Sequence, residues 1–527
     1  MILLFNLLWF NGLKDYQAGN SNSYSLLNLN FFVTFSRVLI NILYLCGKNL
    51  NDLNMLIGRE QEQKRLLDAY NSNEPQFIAI YGRRRVGKTY LVRETLKNKF
   101  LFEHSGLAQS DKSSQLEAWK SSLSESGMKN AEIPATWIEA FDMLKSLIKS
   151  SRRRRKVIFL DELPWLDTPR SGFMAALEHF WNGWASGHDD VMLIVCGSAT
   201  SWIINKLINN YGGLHNRVTG KIHLRPFTLH ECELYLKSRH IVMRRYSILE
   251  CYMILGGIPY YWSLLKQGES LSQNIDQMCF NPDGELFNEF NALYASLFRN
   301  PQPYISIVTI LATKRVGLTR EQIANGAAIA NNGMLTQILQ DLEYCGFIRK
   351  YSQPSMNVKY SIYQLIDPYT IFYFQYIAHN IHHDKNFWSN MLESAMHHTW
   401  SGLAFERVSM LHVDQIKSAL GIAGVASVAY AWSTPATSDG RRGAQVDIII
   451  DRNDNVINLC ECKFSKQEYS LTHEDAMSIA NKVERVAEVS SKRKSIHVTL
   501  ITTFRLANNS YIDSVQRVIT AEDLFKP

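Results

Sequence analysis

Between residues 55 and 226, short runs of consecutive apolar and β-branched residues alternate with longer stretches whose apolar positions recur every three or four places. Phe77–Tyr81, Val157–Leu160 and Val191–Cys196 are runs of the first kind, as expected of strands buried on both faces of a parallel sheet. Glu60–Asn71, Trp137–Ser150 and Phe173–Ser186 are of the second kind and read as amphipathic helices. The alternation predicts an α/β domain with helices on both faces of the sheet. Residues 227–300 read as helical, with an interruption at Gly256-Gly-Ile-Pro-Tyr-Tyr261.

The pattern changes after residue 300. Tyr304–Thr313, Arg320–Asn325 and Met334–Cys345 have helical spacing, and Phe347–Tyr351 and Val358–Tyr363 are strand-like runs around a polar, proline-containing turn. Three helices and a β-wing predict a winged-helix-like domain over 301–365. Its would-be recognition helix, Asn332–Glu343, holds no Lys or Arg, so protein packing explains it as well as DNA reading does. An aromatic helical linker (366–386) leads to a last domain (387–527), where Ala444–Asp451 and Asn455–Phe464 read as a hairpin and Val498–Thr502 as a further strand.

A chain of 527 residues is too long for one core and calls for two to four domains. The net charge of +7 permits a nucleic-acid partner without requiring one. Eight scattered cysteines without zinc-like spacing suit a reduced, cytoplasmic protein. Residues 1–54 carry few charges and an apolar run, Phe31–Cys46, interrupted by Arg37 and Asn41. That run is short and polar for a membrane span, so no firm membrane association is expected. Met55-Leu-Ile-Gly-Arg-Glu60 reads as a domain opening, which makes 1–54 a mis-assigned start or a disordered leader, with a membrane-associated leader as the alternative.

The chemistry concentrates at two places. Gln76–Tyr81 runs into Gly82-x-x-x-x-Gly87-Lys88-Thr89 and then into a helical segment, Tyr90–Lys97. Glycines let the loop backbone turn its N–H groups toward phosphates, and the helix start adds partial positive charge. Lys88 would reach the β/γ-phosphates and Thr89 would hold Mg²⁺. Val157-Ile-Phe-Leu-Asp161-Glu162 supplies the acidic strand end that such a site needs. Asp161 would meet Mg²⁺ through water, and Glu162 would orient or deprotonate the attacking water. Ser198, at the end of Val191–Ser198, could touch the γ-phosphate or simply end a strand. Arg217, after Gly212-Gly-Leu-His-Asn, could stabilise charge or form a surface ion pair. The basic run Arg152–Lys156 could contact phosphates or be a solvated loop.

The second place is the hairpin. Asp447 and Glu461 would face each other across it and share a divalent metal. Lys463 would lie on the same face beside a scissile phosphate. Glu406, in Gly402-Leu-Ala-Phe-Glu-Arg-Val, could add a further carboxylate. An exposed hairpin with ordinary surface charges is the plainer alternative.

Ile57-Gly-Arg-Glu60, Gly82-Arg-Arg-Arg85-Val-Gly-Lys-Thr89, Leu160-Asp-Glu-Leu-Pro-Trp165, Cys196-Gly-Ser198 and Gly256-Gly-Ile-Pro259 together resemble the archaeal-type AAA+ ATPase family of P-loop NTPases. The tail resembles the domain often paired with it, which is similar to the PD-(D/E)xK nuclease superfamily. The resemblance implies an AAA+-like parallel sheet with a helical lid and an α/β restriction-endonuclease-like C-terminal domain. It also implies that Gly82, Arg85, Gly87, Lys88, Thr89 and Asp161 bind ATP and Mg²⁺, that Glu162 runs hydrolysis and that Arg217 is an arginine finger. Glu406, Asp447, Glu461 and Lys463 then fall on nuclease core positions. Ser198 departs from the Asn or Thr frequent there. The function expected is an ATPase whose nucleotide state controls a metal-dependent nuclease-like domain acting on DNA, with homo-oligomers left open. The alternative is a nucleotide-dependent switch whose C-terminal domain binds nucleic acid or protein without cleaving.

Overall fold

The computed structural model describes residues 56–209, 213–214, 216–352, 361–380, 382–438 and 440–527. The expectations for residues 1–54 and for Met55 lie outside these. Leu56–Pro527 forms one compact unit. Among the described residues the strands build three sheets.

The first sheet contains β1 (Gln76–Tyr81), β2 (Phe100–Ser105), β3 (Lys156–Asp161), β4 (Val191–Gly197) and β5 (Gly220–His223), in the order β2-β3-β4-β1-β5. All its pairings are parallel. Successive side chains of a strand point to opposite faces. Ile78, Ile80, Val157, Phe159, Met192 and Ile194 accordingly fill one core, while Phe77, Ala79, Ile158, Leu160, Leu193 and Val195 fill another. In the second core Trp119, Trp137, Phe141 and Phe173 pack edge-to-face, and Phe180 stacks on Phe141, around the helices Trp137–Ser150 and Phe173–Gly183. A parallel sheet of this order with helices on both faces is a P-loop NTPase fold.

The helices Leu229–Ser238, Arg245–Leu255, Pro259–Ser263 and Glu289–Leu297 follow. Helices Gln302–Ala312, Arg320–Gly326 and Gly333–Tyr344 then accompany an antiparallel sheet of β6 (Leu318–Thr319), β7 (Ile348–Tyr351) and β8 (Ile362–Leu365), ordered β6-β8-β7. β8 therefore ends two residues beyond the predicted Val358–Tyr363, whose residues 358–360 are not described. Gln364, polar but buried, pairs with Arg349 in the ladder. The predicted linker helix, Pro368–Gln375, packs Tyr369 and Phe372 fully into the shared core.

The last sheet is ordered β13-β12-β11-β10-β9, from β9 (Ser427–Thr434), β10 (Ala444–Arg452), β11 (Val456–Lys463), β12 (Ser495–Thr502) and β13 (Arg517–Thr520). β9, β10 and β11 are antiparallel, whereas β11, β12 and β13 are parallel. Helices Ala395–Leu411 and His473–Val489 pack on it. No helix among the described residues is long and apolar enough to cross a membrane.

Candidate nucleotide site and a second ionic site

The loop between β1 and the helix Lys88–Thr95 lies at the carboxyl edge of the first sheet, where the connection from β1 runs toward β2 and that from its neighbour β4 runs the other way, to β5. Gly82 is required there because a Cβ would stand 2.2 Å from the Leu224 carbonyl oxygen. Gly87 starts the helix at φ 89°, in the left-handed region. The Lys88 ammonium, nearly buried, donates to the carbonyls of Gly82 and Arg83 at 2.9 Å each. A phosphate would compete for the same charge. The Thr89 hydroxyl donates to Asp161 Oδ2 at 2.7 Å. A hydroxyl and a carboxylate so close are a donor set that suits Mg²⁺ beside a triphosphate.

Glu162 follows Asp161 with φ 45°, a costly conformation for a non-glycine residue. Its carboxylate accepts from the Ser198 hydroxyl at 2.9 Å and from the Ser198 N–H at 3.4 Å. Because β4 lies between β1 and β3, its tip brings Ser198 between the phosphate loop and the acidic pair. A cleft of ≈ 410 Å³ opens beside Glu162 and Ser198, with Arg170 and Arg299 in its wall.

Arg217 is not brought to this site within one chain. Thr219 N–H bonds the Phe77 carbonyl at the start of β1, and Gly82 lies five residues further along, about 16 Å away at ~3.3 Å per residue. Arg217 is further back still and exposed. Arg85, expected at the nucleotide, instead pairs with Glu289 at 2.6 Å and lies 4.3 Å from the centre of the Tyr260 ring. Its neighbour Arg83 forms a buried two-point ion pair with Asp367 and stacks 4.7 Å over Phe347. Burial alone would pull the Arg83 pKa down, but the Asp367 charge outweighs it and holds the guanidinium above its ordinary value. Arg83 and Arg85 thus tie the phosphate loop to helices outside the sheet. Sequence reasoning missed Asp367 and Glu289, since nothing near them in the chain marks partners more than 200 residues away.

In the basic run, Arg155 is spent on carbonyls of Ala69, Glu74 and Asp189, and Lys156 on Asp190. Those two residues are structural, which leaves Arg152 to Arg154 at the surface.

The C-terminal carboxylates do converge. Asp447 and Glu461 lie one step beyond the Ile448–Cys460 pair of the hairpin, and Cys462 N–H donates to Asp447 Oδ2 at 2.9 Å. Each acid has a cation beside it. Lys482, from the helix His473–Val489, reaches Glu461 at 2.6 Å, and Lys463 stands 3.8 Å from it. Lys463 bonds Asp475 at 2.9 Å, and Tyr469 OH donates to the same carboxylate at 2.8 Å. Burial would lower the Lys463 pKa, but the Asp475 bond and the Glu461 charge outweigh it and raise it. Glu406 is forked by Arg315, whose Nη2 also lies 3.3 Å from Asp447. Burial first and the Asp447 charge second push Glu406 up to about 7, against the pull of Arg315. The same two causes raise Glu461. Among the described residues no three His, Cys, Asp or Glu side chains are arranged to hold a metal as they stand. Arg315 and Lys482 went unnoticed in the sequence because a lone Arg in a turn and a Lys on a polar helix look like surface residues.

Residues 56–265 match the family model described as an ATPase domain predominantly from Archaea, and this part of the chain is an ATP-binding ATPase domain of that archaeal type. The match does not extend beyond residue 265. An uncharacterized protein of Methanocaldococcus jannaschii is 26% identical over 359 residues, 67% of this chain and 76% of its own length. A second protein of that organism, described as an uncharacterized ATP-binding protein, is 44% identical over 45 residues, 8% of this chain and 76% of its own length. Among solved structures, the chain is similar to a Walker-type ATPase of Pyrococcus abyssi, at 17% identity over 61% of this chain and 96% of that one with TM-score 0.45. It is also similar to the ORC2 protein of Aeropyrum pernix, at 14% identity over 65% and 98% with TM-score 0.38.

Proposed function

We propose that the chain is an ATP-hydrolysing AAA+-type protein whose nucleotide state governs a metal-dependent phosphodiester-cleaving site in residues 387–527. At the first site Lys88 holds the β/γ-phosphates, Thr89 and Asp161 hold Mg²⁺, and Glu162, kept in place by Ser198, orients the attacking water. Mg²⁺ supplies charge neutralisation on the phosphates. Arg217, remote from its own loop and exposed, serves a neighbouring copy in a homo-oligomer.

One observation carries the second half of the reading. Asp447 and Glu461 face each other on a mixed sheet, with Lys463 two residues beyond Glu461 and Glu406 arriving from a packed helix. Three buried acids with adjacent lysines suit a divalent cation and a phosphate better than they suit a surface hairpin. Glu406, Asp447 and Glu461 would hold the metal, which supplies Lewis-acid polarisation of the phosphate. Lys463 would orient the water or offset the phosphate charge. DNA is the substrate favoured, with the winged-helix-like layout of 301–365 as a docking surface.

The test is cleavage of plasmid DNA with Mg²⁺ or Mn²⁺ by the wild type and by Glu461→Gln. Equal cleavage by both would remove Glu461 from the chemistry. One feature favours a second reading, a switch that binds without cutting: every acid of the site is already ion-paired. Cleavage absent under every metal, with ATP turnover intact, would establish that reading instead.

A further inference from the structure

Arg315 reaches the C-terminal carboxylates from a different part of the molecule. It lies in the turn between the helix Gln302–Ala312 and β6. Its guanidinium forks Glu406 and touches Asp447, whose side chains are 7% and 3% exposed while its own is 45% exposed. The contact therefore closes the open side of a buried acidic pair. The turn is also fastened from behind. Gln364 Nε2 donates to the Arg315 carbonyl at 2.8 Å, Arg407 donates to the same oxygen, and Tyr351 OH donates to the Val316 carbonyl at 2.6 Å.

We propose that Arg315 is a removable cap on the C-terminal cation site. Its guanidinium occupies the two carboxylates, Glu406 and Asp447, that would hold a divalent metal, so the site opens only when the turn carrying Arg315 moves. This rests on the metal-site reading above and names the regulation of that site. A guanidinium and a metal ion satisfy the same two carboxylates and exclude each other, because both cations together would crowd like charges into one small space. The partial exposure of Arg315 fits a group that can leave, since its charge can return to water without a burial penalty. The fastening also indicates what moves it. Gln364 is in β8, and three residues later Asp367 holds Arg83 of the phosphate loop. The loop, β8 and the cap thus form one continuous chain of strong contacts, and a phosphate that repositions Arg83 pulls on the strand that seats Arg315.

The experiment is Mn²⁺ binding by the full chain, followed by the electron paramagnetic resonance signal of free Mn²⁺, with each protein compared with its Asp447→Asn counterpart so that metal at the phosphate loop cancels. Without nucleotide, Arg315→Gln is expected to bind Mn²⁺ about tenfold or more tighter than wild type, and Arg315→Lys, which keeps a cation in place, to stay near wild type. A non-hydrolysable ATP analogue should shift the wild type toward the Arg315→Gln affinity, an arm that needs no change at Arg315. Equal Mn²⁺ affinity in wild type and Arg315→Gln, lost in Asp447→Asn, would overturn the cap and leave the metal site standing. Absence of Asp447-dependent Mn²⁺ binding in all of them would overturn the metal site and the cap with it. A tighter Arg315→Gln with no response of the wild type to the analogue would overturn the link to the phosphate loop.

Discussion

Replacing Asp367 by Asn removes one charge from the buried pair with Arg83 and little else. Asn retains a side-chain oxygen to cap the helix Pro368–Gln375, where Asp367 now accepts from Thr370 N–H at 3.0 Å. The Arg83 side chain is 4% exposed and Asp367 2%, so the guanidinium would be left charged and unpaired in the interior. Removing one partner of such a pair costs roughly 3–5 kcal/mol, most of it the stranded charge. Unfolding entropy scales with size, so for the Leu56–Pro527 unit each kcal/mol lowers Tm by only about 1 °C, and a fall of roughly 3–5 °C is expected by circular dichroism. Asp367→Ala should lose about 1 kcal/mol more through the cap. Arg83→Met combined with Asp367→Asn should recover most of the loss, because no charge is then stranded. An Asp367→Asn protein melting within about 1 °C of wild type would mean that the Arg83–Asp367 pair does not tie the phosphate loop to the segment after β8.

Glu162→Gln should retain ATP binding but lower turnover by about 10²- to 10⁴-fold, measured by phosphate release; turnover within threefold of wild type would remove Glu162 from the reaction. Arg217→Ala should lower turnover at least tenfold, and wild-type turnover per chain should rise with protein concentration. A rate independent of both would rule out an arginine acting between copies. Burial pushes the Glu250 carboxyl up to about 7, with Tyr246 and Lys466 opposing. The folded chain therefore keeps a proton that the unfolded chain releases. This stabilisation is complete below pH 4.5 and lost as pH rises through 7, up to about 3 kcal/mol. Glu250→Gln should thus raise Tm at pH 8 and leave it unchanged at pH 4.5, and an equal gain at both would contradict the assignment.

What could be read in the sequence follows from how local each signal is. β1, β3 and β4 are covered on both faces, so burial writes itself as unbroken apolar runs. The phosphate loop and Asp161-Glu162 need particular residues at fixed spacing, and both were legible. β2, β5, β9 and β13 were not recognised, because Phe100–Ser105 and Gly220–His223 mix polar residues into sheet-edge positions where one side is open. The hairpin placed Asp447 opposite Glu461 because register follows from a short turn. Partners that depend on tertiary packing, namely Arg83 with Asp367, Arg85 with Glu289 and Arg315 with Glu406, leave no trace in the local pattern. Arg85 in particular read as a phosphate ligand because its loop position alone was visible, while Glu289 and Tyr260 were not.

The proposed function couples an ATP site to a phosphodiester-cleaving site within one chain. ATP turnover and DNA cleavage followed in the same tube test it most directly, with Mn²⁺ present, with single- and double-stranded DNA, and with wild type beside Glu461→Gln. Cleavage that depends on nucleotide and vanishes in Glu461→Gln, while ATP turnover persists in both, is the expected result. Steady ATP turnover with no DNA cleavage in any nucleotide state, and no response of turnover to DNA, would contradict it.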